Sequence, residues 1–380
     1  MLYEISEEQR IIIDTLRSFC EDKVKPVEEE NDREGRYPED LVKEMAKLGF
    51  FGSAIPEAYG GNFVDFFTLT LLSEEFAKYS PSLGTIMGAS SLLFGNNLSR
   101  NGTEEQKKKY LPLVASGEWM GCMGLTEPGA GSDAMGLSTT AKKVGDEYIL
   151  NGTKTFISNA PVADLALVYA TLDKSLGPKG ICTFIVESGF EGYSAGKKFD
   201  KMGLRSSPTG ELIFEDCRVP AENLVGGEEG LGAKQMISGL DTERVEWGAM
   251  SLGLAQSAFD ESLKYSMERE QFGGPIYNFQ MVQKMIADMA TEIEAARLLL
   301  YNAAAILDKG GKARLAASYA KLFSCDMCMR VTTDAVQVHG GYGYIKEFRV
   351  ERMMRDAKIF SIGAGTSEVQ RMIICHYLRP

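Results

Sequence analysis

The chain of 380 residues is 44% apolar and 25% charged, a composition that buries two or three sizeable cores without disulfide or metal staples. Its 53 acidic and 41 basic residues leave a formal charge of −12, and such a field repels phosphate backbones and anionic lipid surfaces. Nucleic-acid binding is therefore not expected, nor is membrane insertion, because the longest uncharged stretch, Tyr79 to Ser99, carries Pro81 and Asn96-Asn97 in a pattern that a spanning helix disfavours. Seven scattered cysteines and a start without a basic region before an apolar run lead us to expect a reducing compartment. That means the cytoplasm of a bacterium or archaeon, or an organelle matrix after removal of a transit segment.

Residues 1–120 read as a helical domain: Ile12, Leu16, Phe19 and Cys20 share one helical face, and Leu41, Met45 and Leu48 share another after Pro38-Glu39-Asp40. From 121 to 228 the period falls to two, as in EYILNGTKTFIS, DLALVYATL, GICTFIVES and GELIFEDCRVP, and Asn151-Gly152 signals a hairpin. Helical spacing returns in 229–380, where Met285, Met289, Ile293, Ala296 and Leu300 descend one face until Gly310-Gly311. The expected class is α+β, mainly α: helices, a small β domain, then a helical bundle.

This order is not a βαβ alternation, so a doubly wound nucleotide fold is disfavoured and Gly340-Gly341-Tyr342-Gly343 alone reads as a helix terminator. There is no GKS or GKT, no HExxH and no GxSxG, and His339 and His376 are the only histidines. Two histidines are too few for a triad and a metal site together, and hydrolase and kinase readings lose most of their support. Cys325 and Cys328 form a CxxC inside a helical run with no second pair, which favours a buried structural role.

The segment Leu125-Thr126-Glu127-Pro128-Gly129-Ala130-Gly131-Ser132-Asp133 resembles the first signature of the acyl-CoA dehydrogenase family, and Gln337 to Lys358 resembles its second. NGTKTFISNA at 151–160, KMGLRSSPTGELIFEDCRVP at 201–220, ERVEWGAMSLGLAQ at 243–256 and EREQFGGPI at 268–276 extend the likeness colinearly over the chain. The resemblance implies a β-barrel-like middle domain, a C-terminal four-helix bundle, bound FAD, a homotetramer and electron-transferring flavoprotein as electron acceptor. It implies that Met123, Leu125 and Thr126 meet the flavin's pyrimidine edge, that Ser132 meets a phosphate and borders the substrate, and that Phe156, Ile157 and Ser158 lie against the ring. A neighbouring subunit would complete the adenosine-diphosphate half through Arg269, Gln271, Phe272, Gln280, Gln337 and Gly341, with Thr366 and Glu368 reaching the other subunit's flavin.

The family's reaction removes an α-proton from an acyl thioester while hydride leaves the β-carbon for the flavin, which requires a carboxylate base and donors aimed at the developing enolate oxygen. Many members carry that base in a Y-E-G-T segment, which here reads Gly363-Ala364-Gly365-Thr366. The isovaleryl-CoA branch instead places a glutamate in an LDLER-like segment, and Leu240-Asp241-Thr242-Glu243-Arg244 stands at that place. Glu243 is therefore the expected base, with Glu246 as the internal rival. The resemblance sets Asp241 and Arg244 beside CoA. Gly363 and Ala364 replace larger side chains, which predicts free volume for a short branched, cyclic or aryl acyl group, with Trp247 limiting its depth. The expected activity is acyl-CoA dehydrogenation. The alternatives are an enoyl-CoA reductase of the same fold and a non-catalytic acyl-CoA-binding member.

Overall fold

The computed structural model describes residues 3–379. The N-terminal layer consists of helices α1 (Glu7–Phe19), α2 (Glu28–Glu34), α3 (Glu39–Lys47), α4 (Phe66–Tyr79), α5 (Pro81–Met87), α6 (Asn97–Asn101) and α7 (Glu104–Ala115). Ser6 and Gln9 cap α1 reciprocally, as Thr103 and Gln106 cap α7, each satisfying otherwise orphaned N–H groups. Leu16, Phe19, Cys20, Leu41 and Met45 enter one core with Phe50, Phe76 and Leu83, each large apolar side chain contributing about 1.5–3 kcal/mol on burial. Leu48 departs from the expected face: it is 41% exposed, because α3 ends at Lys47 and Val42 takes the inward position.

Seven strands follow: β1 (Gly121–Gly124), β2 (Thr140–Val144), β3 (Glu147–Ser158), β4 (Leu165–Thr171), β5 (Ile181–Glu187), β6 (Tyr193–Ala195) and β7 (Thr209–Pro220). They form one curled sheet in the order β1-β4-β2-β3-β7-β6, with β5 added against β4. Strand β4 is buried on both faces. Ala166, Val168 and Ala170 enter the core between the curled layers, while Leu165 and Leu167 meet helices α6 and α7 and Tyr169 meets Met236. That double burial explains its unbroken apolar run.

Asn151-Gly152 is not the hairpin. The β2–β3 turn is Gly145-Asp146, between the paired Val144 and Glu147, and Asn151-Gly152 lies inside β3 where the register with β7 shifts. The glycine is required by close approach, since a Cβ there would lie 2.6 Å from Thr139 Oγ1, so it marks a bulge.

The C-terminal layer comprises α8 (Gly232–Glu268), a small hairpin β8 (Glu270–Gln271) and β9 (Gly274–Pro275), then α9 (Gln280–Asp308), α10 (Arg314–His339), α11 (Val350–Ala357) and α12 (Ser367–Tyr377). Small residues let α8 sit deep: a Cβ at Gly253 would overlap the carbonyl oxygen of Glu74, and one at Gly248 would lie 2.6 Å from Leu300 Cδ2. Helix α8 thereby touches α4, α9 and α10 together. Cys325 and Cys328 are free thiols fully buried in this core. No helix among the described residues is long and apolar enough to cross a membrane.

Candidate active site

The TEPGAGSD segment is built around an ion pair. Glu127 accepts hydrogen bonds from Lys154 Nζ at 2.7 Å, Thr139 N–H at 2.9 Å, and the N–H and hydroxyl of Ser138 at 2.5 Å. Both partners are fully buried. Burial opposes ionisation of Glu127, but the bonds from Lys154, Ser138 and Thr139 prevail and hold its pKa down at about 2. Lys154 also donates to the carbonyl of Leu125 at 3.3 Å, and the N–H of Thr155 donates to the carbonyl of Thr126 at 2.9 Å. The loop carrying Leu125 and Thr126 is thus clamped to the end of β3.

At that strand end an extra residue enters the ladder between Lys154 and Ile157. Phe156 takes the left-handed conformation, with φ 58°, and its ring is turned outward, 68% exposed against Phe199. Ile157 is buried and Ser158 half-buried. Met123 on β1 and Leu125 are half-buried, while Ser132 is exposed in a loop whose Gly129 and Gly131 face open space. Asn97 links this edge to α8: its Nδ2 points at Met123 Sδ, 3.9 Å away, and its Oδ1 would lie 2.5 Å from a Cβ on Gly239. Gly239 is one turn before Glu243.

Glu243 is half-buried on α8 and takes no hydrogen bond from any other described residue. Burial pushes its pKa up to about 7, opposed by the charges of Arg244 and Lys321. Arg244 is buried and donates to Asp241 at 2.9 Å, which also accepts from Arg314 at 3.2 Å. Lys321, fully buried on α10, donates to the carbonyl of Gly365 at 2.8 Å. It thus ties α10 to the 363–366 loop beside Glu243. Ala364 in that loop has φ 53°, a conformation costly for a side-chain-bearing residue, and its N–H finds no backbone acceptor among the described residues. The free donor and the half-buried carboxyl are what proton transfer next to a carbonyl requires.

The expected free volume at position 363 is absent. A Cβ on Gly363 would lie 2.7 Å from Trp247 Cζ2, so the glycine makes room for the indole and not for substrate. Trp247 is fixed there by a hydrogen bond from Nε1 to the carbonyl of Phe360 at 3.2 Å and by an edge contact with the Phe360 ring. Glu246 turns away from the 363–366 loop toward α4, where Ser73 Oγ lies 3.5 Å from its Oε1.

Arg269, Gln271 and Gly341 line a cavity of about 520 Å³ together with Tyr265, His339 and Tyr342. The Arg269 guanidinium lies over the Tyr342 ring at 5.6 Å, and Gly340 and Gly341 face open space. A cation, an amide and bare backbone suit an anionic pyrophosphate, so these residues fit one half of a dinucleotide. Gln280 and Gln337 stand exposed outside that lining, and Phe272, at the tip of the β8–β9 hairpin, is 96% exposed. Thr366 caps α12 through the N–H of Val369 and, with Glu368, lines a second cavity of about 660 Å³ that shares no residue with the first. The structure therefore places Asp241, Glu243, Arg244 and Trp247 on α8, with Trp247 packed on Gly363 and Lys321 joining the 363–366 loop to the field at Glu243; the expected cofactor residues fall at the β edge, in two separate cavities and, for Phe272, Gln280 and Gln337, outside both. Lys321, Lys154 and Asn97 escape sequence reasoning. A lysine inside the helical run AASYAKLFSC was the one signal for Lys321.

Models of the acyl-CoA dehydrogenase N-terminal, middle and C-terminal domains match residues 6–118, 122–217 and 230–378. The caffeyl-CoA reductase-Etf complex subunit of Acetobacterium woodii is 45% identical over 370 residues, covering 97% of each chain. The mitochondrial isovaleryl-CoA dehydrogenase of Pongo abelii is 42% identical over 374 residues, covering 97% of this chain and 88% of that one. The solved structure of butyryl-CoA dehydrogenase from Megasphaera elsdenii superposes with a TM-score of 0.97 at 43% identity and full coverage of both chains. The chain belongs to the acyl-CoA dehydrogenase family and is a flavoprotein oxidoreductase that uses FAD.

Proposed function

We propose that this chain interconverts an acyl-CoA thioester and its 2-enoyl counterpart, with Glu243 as the group that takes or returns the α-proton. The observations that carry this reading are a Glu243 carboxyl on α8 that takes no hydrogen bond from another described residue, and the free N–H of Ala364 in a loop anchored by Lys321, whose charge also acts on Glu243. Bound FAD supplies the hydride acceptor for the β-carbon. The N–H of Ala364 polarises the thioester carbonyl, which acidifies the α-proton, and the Glu243 carboxylate removes it. Arg244 and Asp241 flank the CoA portion. Thr126, Ser132, Ser158 and the other residues of the β edge hold the flavin half, with Phe156 beside the ring. Because the cofactor residues of one chain fall in separate places, the reading includes a homotetramer in which Arg269, Gln271, Phe272, Gln280, Gln337 and Gly341 serve a neighbour's FAD and Thr366 and Glu368 serve another.

The acyl group is branched, cyclic or aryl, since Ala364 presents only a methyl beside Glu243. Electron-transferring flavoprotein is the proposed electron partner, supported by the relative named as a subunit of a reductase-Etf complex. The reductive direction is a second reading. A Glu243 pKa pushed up to about 7 fits either direction, since the group can act as acid as well as base at neutral pH, and the relative named as a reductase subunit supports this one.

The test is anaerobic bleaching of the bound flavin by a panel of branched, cyclic and aryl acyl-CoAs. Glu243→Gln should keep its FAD and bleach roughly 10²- to 10⁴-fold more slowly. Bleaching at the wild-type rate would refute the assignment.

A further inference from the structure

Glu246 is a half-buried acid that the proton transfer does not use. On α8, Gly239, Glu243, Glu246 and Trp247 are half-buried and follow one another at helical spacing, which draws one open stripe along the helix. The stripe closes at the next turn, where Met250 is 2% exposed and its Sδ would lie 3.0 Å from a Cβ on Gly84. The π-helical segment Gly88–Asn96 and the start of α6 run alongside, meeting α8 through Gly88 against Glu246 and Asn97 against Gly239. Glu246 thus lies one helical turn beyond Glu243 on this half-buried stripe, at the end where Met250 is buried.

Among the described residues, no cation compensates Glu246. Segment 81–99 is uncharged, and among the described residues the one polar side chain that reaches the carboxyl is the buried Ser73 hydroxyl, at a long 3.5 Å. A Cβ on Gly88 would lie 2.9 Å from Glu246 Oε1, so glycine at 88 is what admits the carboxyl to this position. Burial, and then the nearby charge of Glu243, push its pKa up to about 8, which leaves a neutral acid at pH 7. A neutral carboxyl both donates and accepts, and a buried polar group without a strong partner favours a ligand that supplies one.

Resting on the reading of Glu243 above, we propose that Glu246 is a specificity-determining residue that recognises a hydroxyl at the distal end of the acyl group, with Ser73 beside it. A phenol and an aliphatic alcohol supply the same hydroxyl, and the recognition is the same reciprocal hydrogen bond. Trp247, pinned over Gly363, forms the neighbouring wall.

The experiment compares kcat/KM for anaerobic flavin reduction within two pairs: 3-(4-hydroxyphenyl)propanoyl-CoA against 3-phenylpropanoyl-CoA, and 5-hydroxypentanoyl-CoA against pentanoyl-CoA. In the wild type the hydroxylated member of at least one pair should win by roughly ten- to a hundredfold, and the pair that shows it identifies the source of the hydroxyl. Glu246→Val should bring that ratio close to one, while Glu246→Gln, which keeps shape and hydrogen bonding, should retain most of it. Equal rates within both pairs in the wild type, or a preference that survives Glu246→Val, would overturn the proposal and leave the reaction standing. A stronger preference for 5-aminopentanoyl-CoA would overturn it too, making Glu246 a cation site. Bleaching by none of these thioesters would overturn the proposed reaction as well.

Discussion

Two glutamates define the molecule by contrast. Glu127 is surrounded by Lys154 and three donors from Ser138 and Thr139, and its pKa is held down at about 2. Glu243 is half-buried, with no hydrogen bond from another described residue, and burial drives its pKa the other way, to about 7. A saturated carboxylate has no lone pair left for chemistry and serves as a clamp. An unsaturated one keeps its proton affinity near neutrality, which is the condition for general acid–base work.

The largest expected effect breaks the clamp. Lys154→Met leaves Glu127 as an uncompensated buried charge, which should cost about 3–5 kcal/mol and loosen the loop that carries Thr126. Chemical denaturation and FAD occupancy check this, and a variant that keeps wild-type stability would deny the clamp its role. A smaller effect is expected at the other acid's wall. Gly363→Ala drives a methyl into the Trp247 ring and should cost about 1–3 kcal/mol, with recovery when Trp247→Leu is added. If the single variant is neutral in denaturation, the space above Gly363 belongs to substrate after all.

The smallest effect concerns pH. Glu127, with its folded pKa below the ordinary 4.5, contributes stability that is present above that value and fades as pH falls toward 2. For Glu243 the sign is opposite: between 4.5 and about 7 the folded state holds a proton that the unfolded state has released, so stability declines as pH rises through that window. Glu243→Gln removes this decline. Its melting temperature should exceed the wild type's at pH 8 by on the order of 2–4 °C, and the gap should narrow at pH 5. A gap independent of pH would mean that Glu243 is not strained by burial.

The contrast also separates what the residues disclose from what they conceal. The order of helices, sheet and helices is legible because the apolar period changes at Gly121 and again near Gly232, and β4 is legible as a buried strand because both its faces meet cores. Asn151-Gly152 misleads because the same dipeptide serves a turn or a bulge, and only the cross-strand neighbour Thr139 decides which. Glu243 is legible through the resemblance, by its segment and by the missing glutamate at 364. Lys321 is not, since its role lies in a carbonyl 44 residues further along the chain. The volume argument at Gly363 fails for a related reason: a glycine in the sequence does not say whether substrate or an indole fills the space above it.

The most direct test of Glu243 as an acid–base group is the pH dependence of flavin bleaching by a single acyl-CoA, followed anaerobically in the wild type and in Glu243→Gln. In the wild type the rate should rise with an apparent pKa near 7, well above the ordinary carboxylate range, as the base loses its proton. That step should vanish from the residual rate of Glu243→Gln. A wild-type rate that is flat from pH 5 to pH 9, or the same titration persisting in the glutamine variant, would contradict the account.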